Sequence, residues 1–410
     1  MTARQIVRTA IRAYLRILAA AAGLAAPGRT SGSTPRRILV IRLDLLGDVL
    51  YSLAAPAALR HRYPDAEIDM VVLPYTAPFV KASGFDGQIL TLDSNRIRTV
   101  SGLMDPRTWR DYIRLWRRMR ARRYDVAVSL AGTTASLVAV LSGARRRIGY
   151  ADEAYPFVLT DAVAGGRFDR RVKEVDYVMR LLEPLDITAP ASLPAFLPSD
   201  RAAGTVTTKL AAAGVTSDAP LLVIHAGAVN GGAKRWPAEK WAALARDVRE
   251  RAGANVVLTG GAADREIASE VVERSGGAAI SLAGQTSLDE LAELLRRADV
   301  VAGGDSGPLH LAAALNRPVV GIFGPTDPAV HGPALPAAPV RIYRKDLPCS
   351  PCYSLAATAE CPLGDPICMR LVPAREVAAG TIALLRSEDE LLVPKQNALQ
   401  NAERRQRGDE

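Results

Sequence analysis

The residues best suited to chemistry lie in turns that follow apolar runs. Residues 299–327 read DVVAGGDSGPLHLAAALNRPVVGIFGPTD. An apolar run ends near Val301, a Gly-rich turn carries Asp305, Ser306 and Gly307, and Pro308 opens an apolar segment of helical character. A second run over 318–323 then ends in Gly324, Pro325, Thr326 and Asp327. The order is strand, turn, helix, strand, turn. Backbone N–H groups without intrahelical partners and the positive end of the helix dipole sit beside Ser306, a setting suited to a phosphate or a carboxylate. A capped βαβ unit with no ligand has the same pattern. His310, one turn into the helix, either donates to such an anion or packs.

Three further turns carry polar candidates. Asp48 follows an apolar strand at 38–43, in RRILVIRLDLLGDV; Gly47 is expected to make a tight turn before a helix starting near Val49. That puts Asp48 at the carboxyl end of a first strand, where open α/β sheets bind ligands. The Gly-rich loop HAGAVNGGAK (225–234) ends in Lys234, within reach of a diphosphate or simply a surface lysine beside a helix start. After Gly260 and Gly261, Asp264 or Glu266 can accept ribose hydroxyls, and Asp264 can equally cap the helix that follows.

These turns need strands to present them. Short apolar runs at 38–43, 66–73, 88–92 and 124–129 alternate with helical patterns, which implies a parallel, doubly wound sheet. A second set of strands is expected at 220–225, 255–259, 279–282, 300–302 and 319–323, with helices at 238–251, 264–275 and 288–297. The fold class is therefore α/β, with two Rossmann-like doubly wound domains facing across a cleft. The expected division is a basic amphipathic segment and linker at 1–35, a first domain at 36–190, a linker at 191–218, a second domain at 219–387 and a mobile tail at 388–410. No Gly-x-Gly-x-x-Gly follows the first strand, so the dinucleotide fingerprint is absent.

The chain has 410 residues, 49% apolar and 23% charged, with a net charge of +9. That length holds two domains with cores of their own, and the charge calls for an acidic partner: nucleic acid, an anionic membrane or a phosphorylated substrate. No run of 18 apolar residues appears, so no transmembrane helix is expected. A weak h-region at 17–26 follows arginine-interrupted sequence, which argues against secretion. Arg4, Arg8, Arg12 and Arg16 mark a basic amphipathic helix, able to lie in a membrane interface or to pack on the fold. Between Arg107 and Arg123 lie eight arginines and one carboxylate, Asp111, interleaved with Trp109, Tyr112, Trp116 and Met119. That helix suits an interface, or presents its arginines to solvent and its aromatics to the core. Two such segments favour a membrane.

Cys349, Cys352, Cys361 and Cys368 fall late in the chain. Structural zinc is one reading, not favoured because the spacing fits no standard site closely; disulfides and packed thiols are the others.

Taken in order, ILVIRLDLLGDV, AKRWP, LTGGAADRE, GGDSGPLHLAAALNRPVVGIFGPTDP and the CSPC, CPLG and CM segments resemble glycosyltransferase family 9, the heptosyltransferase-like enzymes of lipopolysaccharide core assembly, over residues 36–385. The resemblance implies a GT-B fold with acceptor on the first lobe and nucleotide-sugar donor on the second, and inverting transfer that requires no metal cofactor. It assigns Asp48 as general base and Lys234, Ser306, Gly307 and His310 as donor-diphosphate contacts, with Asp305 in the same motif. Glu266 is a looser match to a ribose-binding carboxylate. Asp44 is a rival base, its place before the turn favouring a structural role. The donor implied is ADP-heptose. Another nucleotide sugar stays open, because the loop before Lys234 is rich in Gly and Asn and lacks acidic residues. The implied partners are a nucleotide-sugar donor, a glycolipid acceptor and the cytoplasmic face of an anionic inner membrane, with no nucleic acid. A non-catalytic nucleotide-sugar-binding protein and an isomerase of nucleotide sugars are the readings of other classes.

Overall fold

Arg37–Arg42 (β1), RILVIR, is buried over all but its first residue and forms the middle of a six-stranded sheet. A near-continuous apolar run is what a parallel strand needs when helices cover both faces. The computed structural model describes residues 34–131, 134–152, 155–165, 172–228, 231–352 and 360–386. The other strands of the first sheet are β2 (Glu67–Val72), β3 (Ile89–Thr91), β4 (Val126–Ala131), β5 (Arg146–Tyr150) and β6 (Asp161–Val163). They run in the order β3-β2-β1-β4-β5-β6, and every pairing is parallel.

The second sheet repeats the design. Its strands are β7 (Leu221–His225), β8 (Asn255–Leu258), β9 (Ile280–Ser281), β10 (Val300–Gly304), β11 (Val319–Ile322) and β12 (Val340–Tyr343), in the order β12-β11-β10-β7-β8-β9, again all parallel. In each sheet the order reverses beside the first strand, the switch point where such sheets bind ligands beyond their carboxyl edge. The two Rossmann-like lobes expected from the sequence are present. Strands β5, β6 and β12 were not among the expected ones.

Helices Pro106–Arg122 and Ala238–Ala252 show why these segments fold as they do. In the first, Asp105 accepts a hydrogen bond from the Arg107 amide, Pro106 sits in the first turn, and Arg123 closes the helix in a left-handed conformation (φ 52°). Leu115 and Met119 are buried one turn apart, packing the helix on the Leu39, Ile41 and Ala127 face of the sheet. The second buries Trp241, Leu244, Ala245 and Val248 at the same kind of spacing.

The segment expected as linker, 191–218, is extended only at its start. Asp200–Ala212 is a helix capped by Ser199, tied to the second lobe by Lys209–Glu290 at 2.8 Å and by Arg297 Nη1 donating to Thr207 at 2.8 Å. Gly47 is also placed differently. It lies inside the helix Leu46–Ser52 rather than in a turn before it. The expected N-terminal arginine helix and the tail after residue 387 lie outside the described residues.

The lobes are packed together, not merely linked. One apolar cluster runs from Ile38 and Leu50 in the first lobe to Leu309, Leu311 and Ala313 in the second. Leu46–Ser52 meets the helix Gly307–Ala314 at this seam. A Cβ built on Gly307 would stand 3.3 Å from Leu46 Cβ and 3.4 Å from the Gly47 amide nitrogen. Glycine at 47 and 307 thus serves close approach between two helix N-termini.

Candidate active site

Arg42, the last residue of β1, is fully buried, and its Nη2 serves three carboxylates. Glu174 Oε1 lies at 2.7 Å, Asp44 Oδ2 at 3.3 Å and Asp48 Oδ1 at 3.4 Å. A guanidinium with no exposure stays in place only if charge and hydrogen bonds surround it, so this arrangement orients the acids as much as it holds the arginine. Asp48 also sits in the first turn of Leu46–Ser52, at the positive end of that helix. Both Asp44 and Asp48 are about a quarter exposed, so each retains an open side. The arginine does not separate the two.

Across the seam, β10 ends in Gly304 and delivers Asp305 to a pocket of opposite charge. Lys234 Nζ is 2.8 Å from Asp305 Oδ2, and His310 Nε2 is 3.2 Å from Oδ1. Burial alone would push the Asp305 carboxyl up; the His310 hydrogen bond and the Lys234 charge outweigh it and hold the group well below the usual carboxylate range. Nearby, burial pushes the His331 imidazole below its usual value, with Asp305 opposing and Lys234 adding to that shift.

Ser306 precedes Gly307–Ala314, yet no side chain caps this helix. The Ser306 hydroxyl donates to the Gly304 carbonyl at 3.1 Å and lies 3.1 Å from His225 Nδ1. The helix N-terminus beside Lys234 therefore has no side-chain cap, an arrangement that can take an anion. His225 ends β7 and lies 3.6 Å from Asp264 through Nε2. Asp264 accepts from the Gly261 amide at 2.8 Å, and the His225 imidazole beside it holds its carboxyl below the usual value against burial. A Cβ on Gly227 would fall 2.0 Å from Asp264 Oδ1, so the loop closes directly on this carboxylate. Asp264 is thus a brace for two loops, and its side chain does not cap the helix Arg265–Arg274 that follows it. Glu266 is exposed in the first turn of Arg265–Arg274, at the same carboxyl edge.

Lys234, Asp305, Ser306, Gly307 and His310 are therefore brought together, and Asp48 comes to the same seam through its neighbour Gly47. A Cβ on Gly47 would lie 3.4 Å from His310 Cδ2. Sequence reasoning missed Arg42, Tyr51, Glu174 and His225. An arginine inside the apolar run of β1 was the one available signal, since charge in a buried strand needs a partner.

The cysteine-bearing segments brace the second turn of the motif through Ser350, Cys352 and Cys368. Ser350 Oγ donates to the Gly324 carbonyl, the Cys352 amide donates to Pro325 O at 2.9 Å, and Cys368 and Met369 pack against Gly324. All four thiols are free. Among the described residues no group of three or more His, Cys, Asp or Glu side chains is placed to hold a metal ion.

Two lobes with switch points facing one seam, an oriented carboxylate on one side and an anion cradle on the other, are the construction of a GT-B glycosyltransferase. Solved structures share this architecture: Escherichia coli ADP-heptose lipopolysaccharide heptosyltransferase II superposes with a TM-score of 0.67 at 24% identity, covering 86% of this chain and all (100%) of that one. A glycosyl transferase family 9 protein from Veillonella parvula gives 0.71 at 23% identity, covering 85% and 97%. Residues 112–361, more than half of the chain, match the model of glycosyltransferase family 9 (heptosyltransferase), and the chain belongs to that family. Among curated relatives, lipopolysaccharide heptosyltransferase 2 of Escherichia coli is 28% identical over 305 residues, 71% of this chain and 84% of that protein. Lipooligosaccharide heptosyltransferase 2 of Haemophilus ducreyi is 27% identical over 311 residues, 72% and 86%. The chain is a heptosyltransferase-like glycosyltransferase of lipopolysaccharide biosynthesis.

Proposed function

We propose that the protein transfers heptose from ADP-heptose to a lipopolysaccharide-core or related glycolipid acceptor, with inversion and without need of a metal cofactor, at the cytoplasmic face of the inner membrane. The observation that carries this reading is the seam itself: Asp48 of one lobe and the Lys234, Asp305 and His310 group of the other flank the Gly47–Gly307 approach.

Asp48 takes the proton of an acceptor hydroxyl, whose oxygen bonds to the anomeric carbon as the bond to the diphosphate breaks. The sugar passes through an oxocarbenium-like state, and the configuration inverts because attack and departure are on opposite faces. Lys234 and the amides at the start of Gly307–Ala314 take the charge of the departing diphosphate. Asp305 and His310 hold Lys234 and the helix turn in register for it. Glu266 is the proposed ribose contact, exposed at the edge where a nucleoside would lie. The ADP-heptose assignment is supported by the relatives, whose names carry heptosyl transfer.

A nucleotide-release assay with a panel of nucleotide sugars, with and without acceptor and with and without chelator, tests it. Release of ADP that needs both ADP-heptose and acceptor and survives chelation is the expected result. Preference for another sugar nucleotide overturns the donor assignment, and loss of activity on chelation overturns the metal-free step.

A further inference from the structure

The helix Pro106–Arg122 turns part of its surface away from the core, and that surface is not an ordinary solvated face. With the short helix Val100–Met104 before it, this helix lines an open groove of about 880 Å³. Its apolar lining includes Met104, Trp109 and Ile113, exposed to 77%, 48% and 46%. The Trp109 indole N–H donates to the Leu103 carbonyl at 2.8 Å, which fixes the ring in the groove. Arg114, Arg117 and Arg118 line the same groove. The one carboxylate of the helix, Asp111, is shared among Arg96, Arg110 and Arg114, at 3.2, 3.6 and 3.6 Å. Arg117 and Arg118 are exposed and make no ion pair with any described residue.

We infer that this groove is where the first lobe docks on a bilayer containing anionic phospholipids, the apolar residues entering the acyl boundary and the arginines meeting lipid phosphate. The inference rests on the peripheral-membrane part of the proposed function and assigns it to particular residues. Charge complementarity selects this occupant. Unpaired guanidiniums beside an aliphatic and indole floor match the border between headgroups and acyl chains, where amphipathic basic helices lie. Nucleic acid would use the arginines but has no use for exposed Met104 and Ile113. The chain's own N-terminal segment, with Arg4, Arg8, Arg12 and Arg16, carries the same sign as the groove and would be repelled by it. The geometry also serves the reaction. The N-terminus of Pro106–Arg122 lies at the carboxyl edge of the first sheet, since the helix leads back into β4, and Asp48 sits at that same edge. An acceptor held in the bilayer is then presented on the side of the lobe that carries the base.

Binding of the full-length protein to vesicles of phosphatidylcholine, with and without phosphatidylglycerol, is the test. Two variants separate the parts: Met104→Gln with Ile113→Gln for the floor, and Arg117→Gln with Arg118→Gln for the rim. Trp236 and Trp241 are fully buried, so a blue shift of the emission on binding reports Trp109 and Trp116. Wild type is expected to bind anionic vesicles with a blue shift. The floor variant should bind at least about tenfold more weakly and lose the shift, while the rim variant should lose its preference for phosphatidylglycerol and its sensitivity to salt. Circular dichroism confirms that both variants fold. Unchanged binding by both, with deletion of residues 1–33 abolishing it, overturns the inference; so does a wild type that binds single-stranded nucleic acid but not vesicles. Nucleotide release with a deacylated, water-soluble acceptor keeps the readings apart. It should be unaffected in both variants, and its absence in wild type counts against the transferase reading, not against the groove.

Discussion

Tyr51 of the first lobe holds His310 of the second: its hydroxyl lies 2.9 Å from His310 Nδ1 and accepts the Ala334 amide at 3.1 Å. When the phenolic proton is given to His310 Nδ1, the tyrosine oxygen still accepts the Ala334 N–H. That arrangement leaves the imidazole proton on Nε2, facing Asp305 Oδ1 at 3.2 Å. Burial pushes the Tyr51 hydroxyl far above its ordinary value, so it keeps its proton at every working pH. One side chain thus joins the lobes. Tyr51→Phe keeps the ring and removes the bond. The expected effect is a rise in donor KM of about tenfold, the size of one lost buried hydrogen bond, with a smaller change in kcat. Steady-state kinetics with the donor varied check this, and an unchanged kcat/KM would show that the bond does not serve the reaction.

Asp48 and Asp44 share Arg42, so only substitution separates them. Asp48→Asn is expected to lower kcat by about 10² to 10⁴, the usual range for a lost general base, with donor affinity retained. Asp44→Asn should cost far less, because it precedes the helix whose N-terminus meets the second lobe. Turnover of both variants alongside donor titration decides the assignment. The reverse ranking would make Asp44 the base.

The reach of the sequence ended at contacts between distant residues. Apolar runs located the inner strands of both sheets, because a strand covered on both faces must be apolar throughout, whereas β5, β6 and β12 (RRIGY, DAV and VRIY) carry polar residues and were missed. The turn at Asp305 was legible because glycines, a proline and an apolar helix follow in one stretch. Arg42 and Glu174, by contrast, are 132 residues apart and meet only through the first lobe's fold. Tyr51 reads as one more apolar position of a helix, since its partner comes 259 residues later. Gly47 was expected to make a turn because glycine usually marks one. Its role is space for Gly307 and His310, and a sequence does not distinguish that from a turn.

Gly307→Ala tests the seam. The added methyl meets Leu46 Cβ at 3.3 Å and the Gly47 amide nitrogen at 3.4 Å, so the two helix ends must part by a few tenths of an ångström. Overpacking of this kind costs about 1–3 kcal/mol. Here that cost falls on the closed arrangement of the lobes more than on either core. The melting temperature should therefore drop slightly while kcat/KM falls about tenfold. A large loss of stability with normal kcat/KM in the folded fraction would mean that the approach is structural only.

Lys234→Ala should weaken donor binding more than acceptor binding, since its ammonium lies at the helix end proposed for the diphosphate. Loss of a charge-assisted contact of this kind is worth about 1.5–3 kcal/mol, or roughly 10- to 100-fold in donor affinity. Calorimetric titration with ADP and, separately, with acceptor reads both. Equal weakening of the two would point to a lobe that has shifted rather than to a lost phosphate contact.

Asp305 gives the pH signature. Its carboxyl is held below the usual range in the folded protein, so the ionised form contributes stability above the unfolded value of about 3.9 and the contribution is lost as pH falls through the folded value. Asp305→Asn leaves Lys234 without its 2.8 Å carboxylate in a site where both side chains are about a tenth exposed. Removing one partner of such a buried pair costs roughly 3–5 kcal/mol. The gap in stability between wild type and variant should be constant from pH 7 down to about 4 and shrink below it, because the wild-type carboxylate then takes up its proton on unfolding. Denaturant titrations across that range measure the gap. A gap that persists unchanged well below pH 4 would assign the loss to packing around residue 305 instead of to its charge.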